Sequence, residues 1–275
     1  MVRELDLVRW IKERAAATGD DCAVLDCGPW GTLLATTDSV IDGVHARWHV
    51  DGPAVFGYKA IARGLSDIAA MAGEPKWALL AACLPHDATE EEAQALFEGA
   101  ERAGCPLVGG DTAFGPTPYA VGTVLGIAHR KGPVLRSGAR VGDWIVVTGP
   151  LGGSLASGRH KTFVPRIREA QELHETCDLG AMIDLSDGLS TDLHHILEAS
   201  KVGCRLDAAA IPRHGVPLEK ALDDGEDYEL LATTRPGRLP SFATRIGVVT
   251  ERGAVLVHPD GREEPLVARG YEHGR

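Results

Sequence analysis

Five groups of aspartates punctuate this sequence, most beside glycine, serine or threonine. They are Asp20 and Asp21 in GDDCAVL, Asp38 in TTDSVIDGVH, Asp67 in GLSDIAAM, Asp111 in VGGDT, and Asp184 with Asp187 in AMIDLSDGLS. Few have Lys or Arg beside them. Taken singly, each reads as a solvated or helix-capping carboxylate. Asp187 or Ser186, for instance, could cap the helix predicted by the spacing of Leu189, Leu193, Ile196 and Leu197. Capping leaves Asp184 unexplained. Like charges that converge on a cleft repel unless they are protonated or bridged by cations. Oxygen ligands with no His or Cys among them suit Mg²⁺, which takes one or two carboxylates and fills its shell with phosphate oxygens and water. Asp184 and Asp187 therefore read as metal ligands where a strand gives way to a helix. The sequence has no GxxxxGK[ST] loop and no GxGxxG after a strand, so the common nucleotide folds are unsupported. It has no GxSxG hydrolase elbow either. The Gly-rich GPLGGSLASG lacks the P-loop lysine and reads either as a turn before a helix or as a phosphate contact.

The elements that must position these acids are mixed. Arg3 to Ala17 reads as a helix with Leu5, Val8 and Ile11 on one face. Short apolar runs follow, CAVL and TLLATTD. Gly52 to Ala72 reads as a long helix stopped by Gly73 and Pro75, and WALLAACLP as a buried strand. Thr89 and Glu92 form a capping box for a helix ended by Gly104. CPLV and YAVGTVLGIAHR read as strands around a loop, GGDTAFGPT. A boundary falls in RKGPVLRSGARVGD, ahead of the strand WIVVTG. Beyond it lie a helix opened by Pro165, the Asp184 strand and its helix, a strand from DYELLATT, and a hairpin of IGVVT with AVLVHP. These patterns predict an α/β chain in two domains.

Bulk properties exclude several classes. The formal net charge of −11 argues against general nucleic-acid binding, which draws its affinity from Lys and Arg on phosphates. No apolar run nears the roughly 20 residues of a membrane helix, and no apolar signal core follows Met1. The six cysteines show no CxxC pair and read as free thiols of a reducing cytoplasm.

In order along the chain, GDDCAVL, TTDSVIDGVH, GYKAIARGLSDIAAMAGEP, VGGDT, RSGARVGDWIVVTGPLG, IDLSDGLSTDLHHILEAS and DGEDYELL resemble the thiamine-monophosphate kinase family. That family sits within the superfamily of aminoimidazole ribonucleotide synthetase and selenophosphate synthetase. The resemblance implies transfer of the γ-phosphoryl of ATP to thiamine monophosphate with several Mg²⁺ ions. It implies a two-domain aminoimidazole ribonucleotide synthetase-like fold, with an ATP- and Mg²⁺-binding N-terminal domain over 1–133 whose sheet pairs across a homodimer, and a C-terminal α/β domain over 134–275. Carried over by motif, the metal ligands are Asp21, Thr36, Thr37, Asp38, Asp67, Asp111, Asp184 and Asp187. Gly110, Asp111, Arg136 and Ser186 contact ATP, and His45 and Glu226 meet the substrate. No general base is expected, because the acceptor phosphate is already largely ionised at neutral pH, with a second pKa near ~6. The family's usual aromatics near the C-terminus and after the substrate histidine fall here on Ala268 and Ala46. Two alternatives stand beside this reading: a related ATP-dependent enzyme acting on another small phosphate or carboxylate, and a non-catalytic nucleotide-binding homologue.

Overall fold

Each half of the chain builds its own sheet, and one helix packs between them. The structure, a computed structural model, describes residues 10, 11 and 19–271. Apart from Trp10 and Ile11, which are helical, the helix read over Arg3–Ala17 lies outside the described residues. The first half contains β1 (Ala23–Asp26), β2 (Thr32–Ile41), α1 (Pro53–Ala70), β3 (Glu74–Pro85), α2 (Glu90–Arg102), β4 (Leu107–Gly115) and β5 (Tyr119–Ile127). Its five strands lie in the order β1-β2-β5-β3-β4. The second half contains β6 (Trp144–Val147), α3 (Ile167–Thr176), β7 (Leu179–Asp184), α4 (Leu189–Ser200), β8 (Gly203–Asp207), α5 (Leu218–Asp223), β9 (Leu230–Thr234), β10 (Thr244–Thr250), β11 (Ala254–Val257) and β12 (Glu263–Pro265). Its seven strands lie in the order β12-β11-β8-β10-β6-β9-β7.

Helix α1 is buried along most of its length, which its sequence allows. Alanines and glycines alternate with Phe56, Ile61, Leu65 and Ile68, so apolar or small residues occur all round the axis. One side covers Leu34, Val40, Leu80, Ala120 and Val124 of the first sheet. Another meets α2 at close range. A Cβ on Gly57 would lie 1.8 Å from the carbonyl oxygen of Leu96, and one on Gly99 would lie 2.1 Å from that of Ala54. The C-terminal end of α1 enters the second half, where Ala69 and Ala70 share a core with Met182, Leu230 and Ala232. Each fully buried Phe, Leu or Ile stabilises the fold by about 1.5–3 kcal/mol. Thr89 and Glu92 form the capping box that the sequence predicts for α2.

Two expectations are corrected. The loop read in GGDTAFGPT is largely strand: β4 runs through Gly115 parallel to β3, with Gly110 opposite Leu80 and Asp111 opposite Ala81. The β3 strand, 12 residues long, offers its backbone along that edge. Satisfying those N–H and C=O groups outweighs the poor strand propensity of Gly and Asp. The IGVVT and AVLVHP strands do not form a hairpin, because β8 lies between them, antiparallel to β10 and parallel to β11. The Cys204 N–H donates to the Gly253 carbonyl at 2.8 Å, holding the β10–β11 turn across the start of β8. All six cysteines are free, and among the described residues no helix is long and apolar enough to cross a membrane.

Candidate active site

The aspartates come together where α1 crosses the ends of both sheets. Asp21 precedes β1, Asp67 lies in the last part of α1, and Asp184 ends β7. Their carboxylate oxygens all lie within 4.8 Å of one another. Asp184 is 3% exposed, and the Asp21 side chain 2%. Burial pushes all three carboxyls up, Asp184 to about 7, and the neighbouring acids add to the rise for Asp67 and Asp184. Arg136 contacts them directly: it donates from Nη2 to Asp21 at 2.8 Å, and its charge opposes the rise there. The Arg136 main-chain N–H donates to Asp20 at 2.7 Å.

Hydroxyls hold two of these acids in place. Thr36 donates to Asp67 from β2. Ser66, beside Asp67 on α1, donates to Asp184 at 2.6 Å. Ser66 is absent from the sequence-derived set, although its place in GLSD, next to a metal-ligand candidate, is the signal that could have found it. Asp38 lies on the same face of β2 as Thr36 and pairs with Arg63 at 3.0 Å. Arg63 also donates to the Ser39 carbonyl at 2.7 Å.

Thr37 and Asp111 do not join this group. Successive strand residues point to opposite faces, and Thr37 accepts a 3.1 Å hydrogen bond from Thr123 on the far face of the sheet. Asp111 is exposed on β4, opposite Ala81 and so on that far face also. Three strand spacings separate β2 from β4, about 14 Å. Gly110 is required by close approach, since a Cβ there would lie 1.9 Å from the Leu80 carbonyl oxygen.

Asp187 belongs to a different cluster, in which a carboxylate oxygen approaches Asp192 and a ring nitrogen of His195. Neither Asp187 nor Ser186 caps α4, because Gly188 is its N-cap (φ 112°). The buried Asp192 accepts instead from the N–H groups of Asp187 and Gly188, at 3.1 and 3.0 Å. Ser186 and Asp187 serve as a platform for two other segments. The Ser186 carbonyl accepts from Glu226 N–H at 2.7 Å, and the Asp187 carbonyl from Tyr271 N–H at 3.0 Å. The chain thus brings an aromatic, Tyr271, to the turn, whereas Ala46 is buried in the first core. Trp48 is buried there too, edge-on to Phe56.

Glu226 and the His45 main chain are linked across the two halves by Lys59. Glu226 (φ 62°) and Tyr228 (φ 52°) both adopt left-handed backbone, a conformation that costs a non-glycine residue about 1–3 kcal/mol. Tyr228 donates to Glu226 Oε1 at 3.3 Å. Lys59 of α1 donates to Glu226 Oε2 and, at 2.9 Å, to the His45 carbonyl. The Ile41 N–H donates to His45 Nδ1 at 3.1 Å. In the neutral ring the proton therefore sits on Nε2, which makes that atom a donor. In the Gly-rich turn at 149–153 the Gly152 and Gly153 N–H groups donate to Asp227 and Asp224 at 2.6 and 3.0 Å.

The arrangement is thus a cluster of hard oxygens suited to a divalent cation, together with a polar contact in which Lys59 joins Glu226 to the His45 carbonyl. Residues 19–128 match the AIR synthase related protein family, N-terminal domain. The thiamine-monophosphate kinase of Rhodopirellula baltica is 35% identical, over 97% of this chain and 93% of its own. That of Escherichia coli K12 is 36% identical, over 93% and 90%. A solved complex of AaThiL with AMPPCP and TMP superposes with a TM-score of 0.88 at 31% identity, over 98% of this chain and 97% of that one.

Proposed function

The chain belongs to the thiamine-monophosphate kinase family, and from that premise we propose that it transfers the γ-phosphoryl group of ATP to thiamine monophosphate, giving thiamine diphosphate and ADP. The observation that carries the reading is the convergence of Asp21, Asp67 and Asp184 from three separate segments. Oxygens within 4.8 Å of one another come close to the roughly 4 Å span across an octahedral Mg²⁺ shell, and this group of ligand atoms, among the described residues, is made of carboxylates alone. Asp21, Thr36, Asp38, Asp67 and Asp184 are the residues proposed to hold Mg²⁺. Asp187 is proposed to join them from the neighbouring Asp187–Asp192–His195 group, whose buried Asp192 feels the charges of both Asp187 and Asp184. Bound Mg²⁺ supplies charge neutralisation for the polyphosphate.

The protein's own groups do the rest. Arg136 offers N–H donors to the triphosphate beside Asp21, and Ser186 lies on the adjoining turn. His45 presents a donor suited to a phosphate oxygen, and Glu226 an acceptor for the amino group of the pyrimidine. With an acceptor phosphate already ionised, alignment and charge neutralisation suffice.

The same reading includes a homodimer formed through the first sheet, and a division of the chain at 133/134. Trp77, Leu79 and Tyr119 are exposed on the far face of that sheet, and Val108 and Phe114 on its free β4 edge. Thr37, Gly110 and Asp111 lie on that face or edge, where a second copy would complete their surroundings. A cytoplasmic location suits an enzyme that draws on ATP.

The test is the purified full chain with ATP, Mg²⁺ and thiamine monophosphate, assayed by chromatography. Thiamine diphosphate and ADP in equal amounts are expected. ADP release without thiamine diphosphate overturns the acceptor assignment.

A further inference from the structure

Lys59 is 0% exposed, an unusual position for an ammonium group. Taking such a charge out of water costs several kcal/mol unless partners compensate it. A lysine that only needed to pack would serve better as Met or Leu. Its two partners identify what the burial achieves. Nζ donates to the His45 carbonyl at 2.9 Å and to Glu226 Oε2. The first lies in the loop after β2 and the second between α5 and β9, so a single ammonium joins the two halves of the pocket. Burial pulls the Lys59 ammonium down and the Glu226 carboxylate opposes that pull.

Glu226 is held from every side. Tyr228 donates to its other oxygen at 3.3 Å, and its own N–H is fixed on Ser186. Tyr228 in turn stacks on Phe163, with ring centroids 3.7 Å apart. A carboxylate offers about four lone-pair sites, and two are taken by Lys59 and Tyr228. The others can accept only, so the site selects a ligand that brings N–H donors. At the opposite end of the Lys59 contact, His45 is fixed by Ile41 through its ring and by Lys59 through its carbonyl.

We infer that Lys59 is a positioning residue for acceptor recognition: it ties the Glu226 carboxylate to the His45 loop, and so governs selection of the acceptor and not the binding of ATP. The inference rests on the reading of Glu226 and His45 as acceptor-binding residues. Lys59 touches neither the aspartate cluster nor Arg136, so its removal leaves the metal and ATP end intact.

The test compares Lys59→Met, Lys59→Arg, Glu226→Gln and the Lys59→Met/Glu226→Gln double variant in the full chain. KM for thiamine monophosphate and KM for ATP are measured separately, with Tm as a check on folding. Lys59→Met is expected to raise the acceptor KM about 30-fold or more, the scale of breaking one buried charge pair, with the ATP KM within about twofold. Lys59→Arg keeps the charge but displaces its donors, and falls between wild type and Met. It carries the same test if the Met variant does not fold. The double variant is expected to be no worse than Glu226→Gln alone, because coupled residues are not additive. An unchanged acceptor KM in both Lys59 variants, or an ATP KM that rises in parallel, overturns the inference while leaving the acceptor assignment standing. An unchanged acceptor KM in Glu226→Gln overturns both.

Discussion

The two ends of the cleft handle negative charge in opposite ways. At one end Asp21, Asp67 and Asp184 crowd together with Arg136 as their direct basic partner among the described residues, bound to Asp21. At the other, Glu226 is compensated by Lys59 and Tyr228. The first end is electrostatically incomplete and gains stability from an added cation. The second is complete in the polypeptide itself and stands preformed for a neutral or cationic ring. A phosphoryl-transfer site needs both, because the polyphosphate must be neutralised by added cations whereas the acceptor's ring needs none.

The largest effect expected from breaking this contrast is at the metal end. Asp67→Asn should lower turnover about 10³-fold, on the scale of losing a major electrostatic contributor to the transition state. The same substitution should raise the Tm of the metal-free protein, since one of three repelling buried acids is gone. Loss of activity with a lowered metal-free Tm would mean that Asp67 is structural. Next is the pH dependence of the metal-free chain. Asp184 is pushed up to about 7 by burial and then by the Asp21 charge. An unfolded aspartate titrates near ~3.9. Between about pH 4 and 7 the folded state therefore holds a proton that the unfolded chain has released, so stability falls as pH rises through that window. Thermal melts in EDTA should show Tm declining from pH 5 to pH 8, and Mg²⁺ should remove most of the decline. A flat profile in EDTA would contradict the shift.

Smaller effects sharpen the acceptor end. Tyr228→Phe removes one hydrogen bond to Glu226, worth about 1.5–3 kcal/mol for a charged partner. The acceptor KM should rise about tenfold or more with the ATP KM unchanged. The smallest expected effect lies outside both ends. Thr89→Ala removes the α2 cap and should cost about 1 kcal/mol of stability without altering either KM.

The sequence made the aspartate cluster legible because its parts are local. Each aspartate sits in a short motif with Gly, Ser or Thr, and Asp21, Asp67 and Asp184 meet as that pattern predicts. Strand alternation limits the rest. Thr36, Thr37 and Asp38 are consecutive, so one β-strand cannot aim all three at one point, and Thr37 turns away to Thr123. Asp111 falls within a stretch, GGDTAFGPT, that reads as a loop, and its place on a strand depends on β3 offering its free edge. Lys59 was illegible for another reason: a lysine in GYKAIARG reads as a solvated helix position, and only the packing of both halves around α1 buries it. The β10–β11 hairpin failed likewise, since nothing local reports that β8, about forty residues earlier, inserts between the two strands.

Helix α1 carries Lys59 for the acceptor end and Asp67 for the metal end, with Arg63 between them on Asp38. Eight residues at about 1.5 Å each make that interval about 12 Å. The helix is therefore a ruler, and under the proposed assignment its rigid pitch sets the gap between the acceptor and metal ends. One residue inserted between positions 59 and 67 would lengthen that gauge by about 1.5 Å and turn its two ends by about 100° relative to each other. The connecting loops can vary in length without such a consequence, but the interval within α1 cannot.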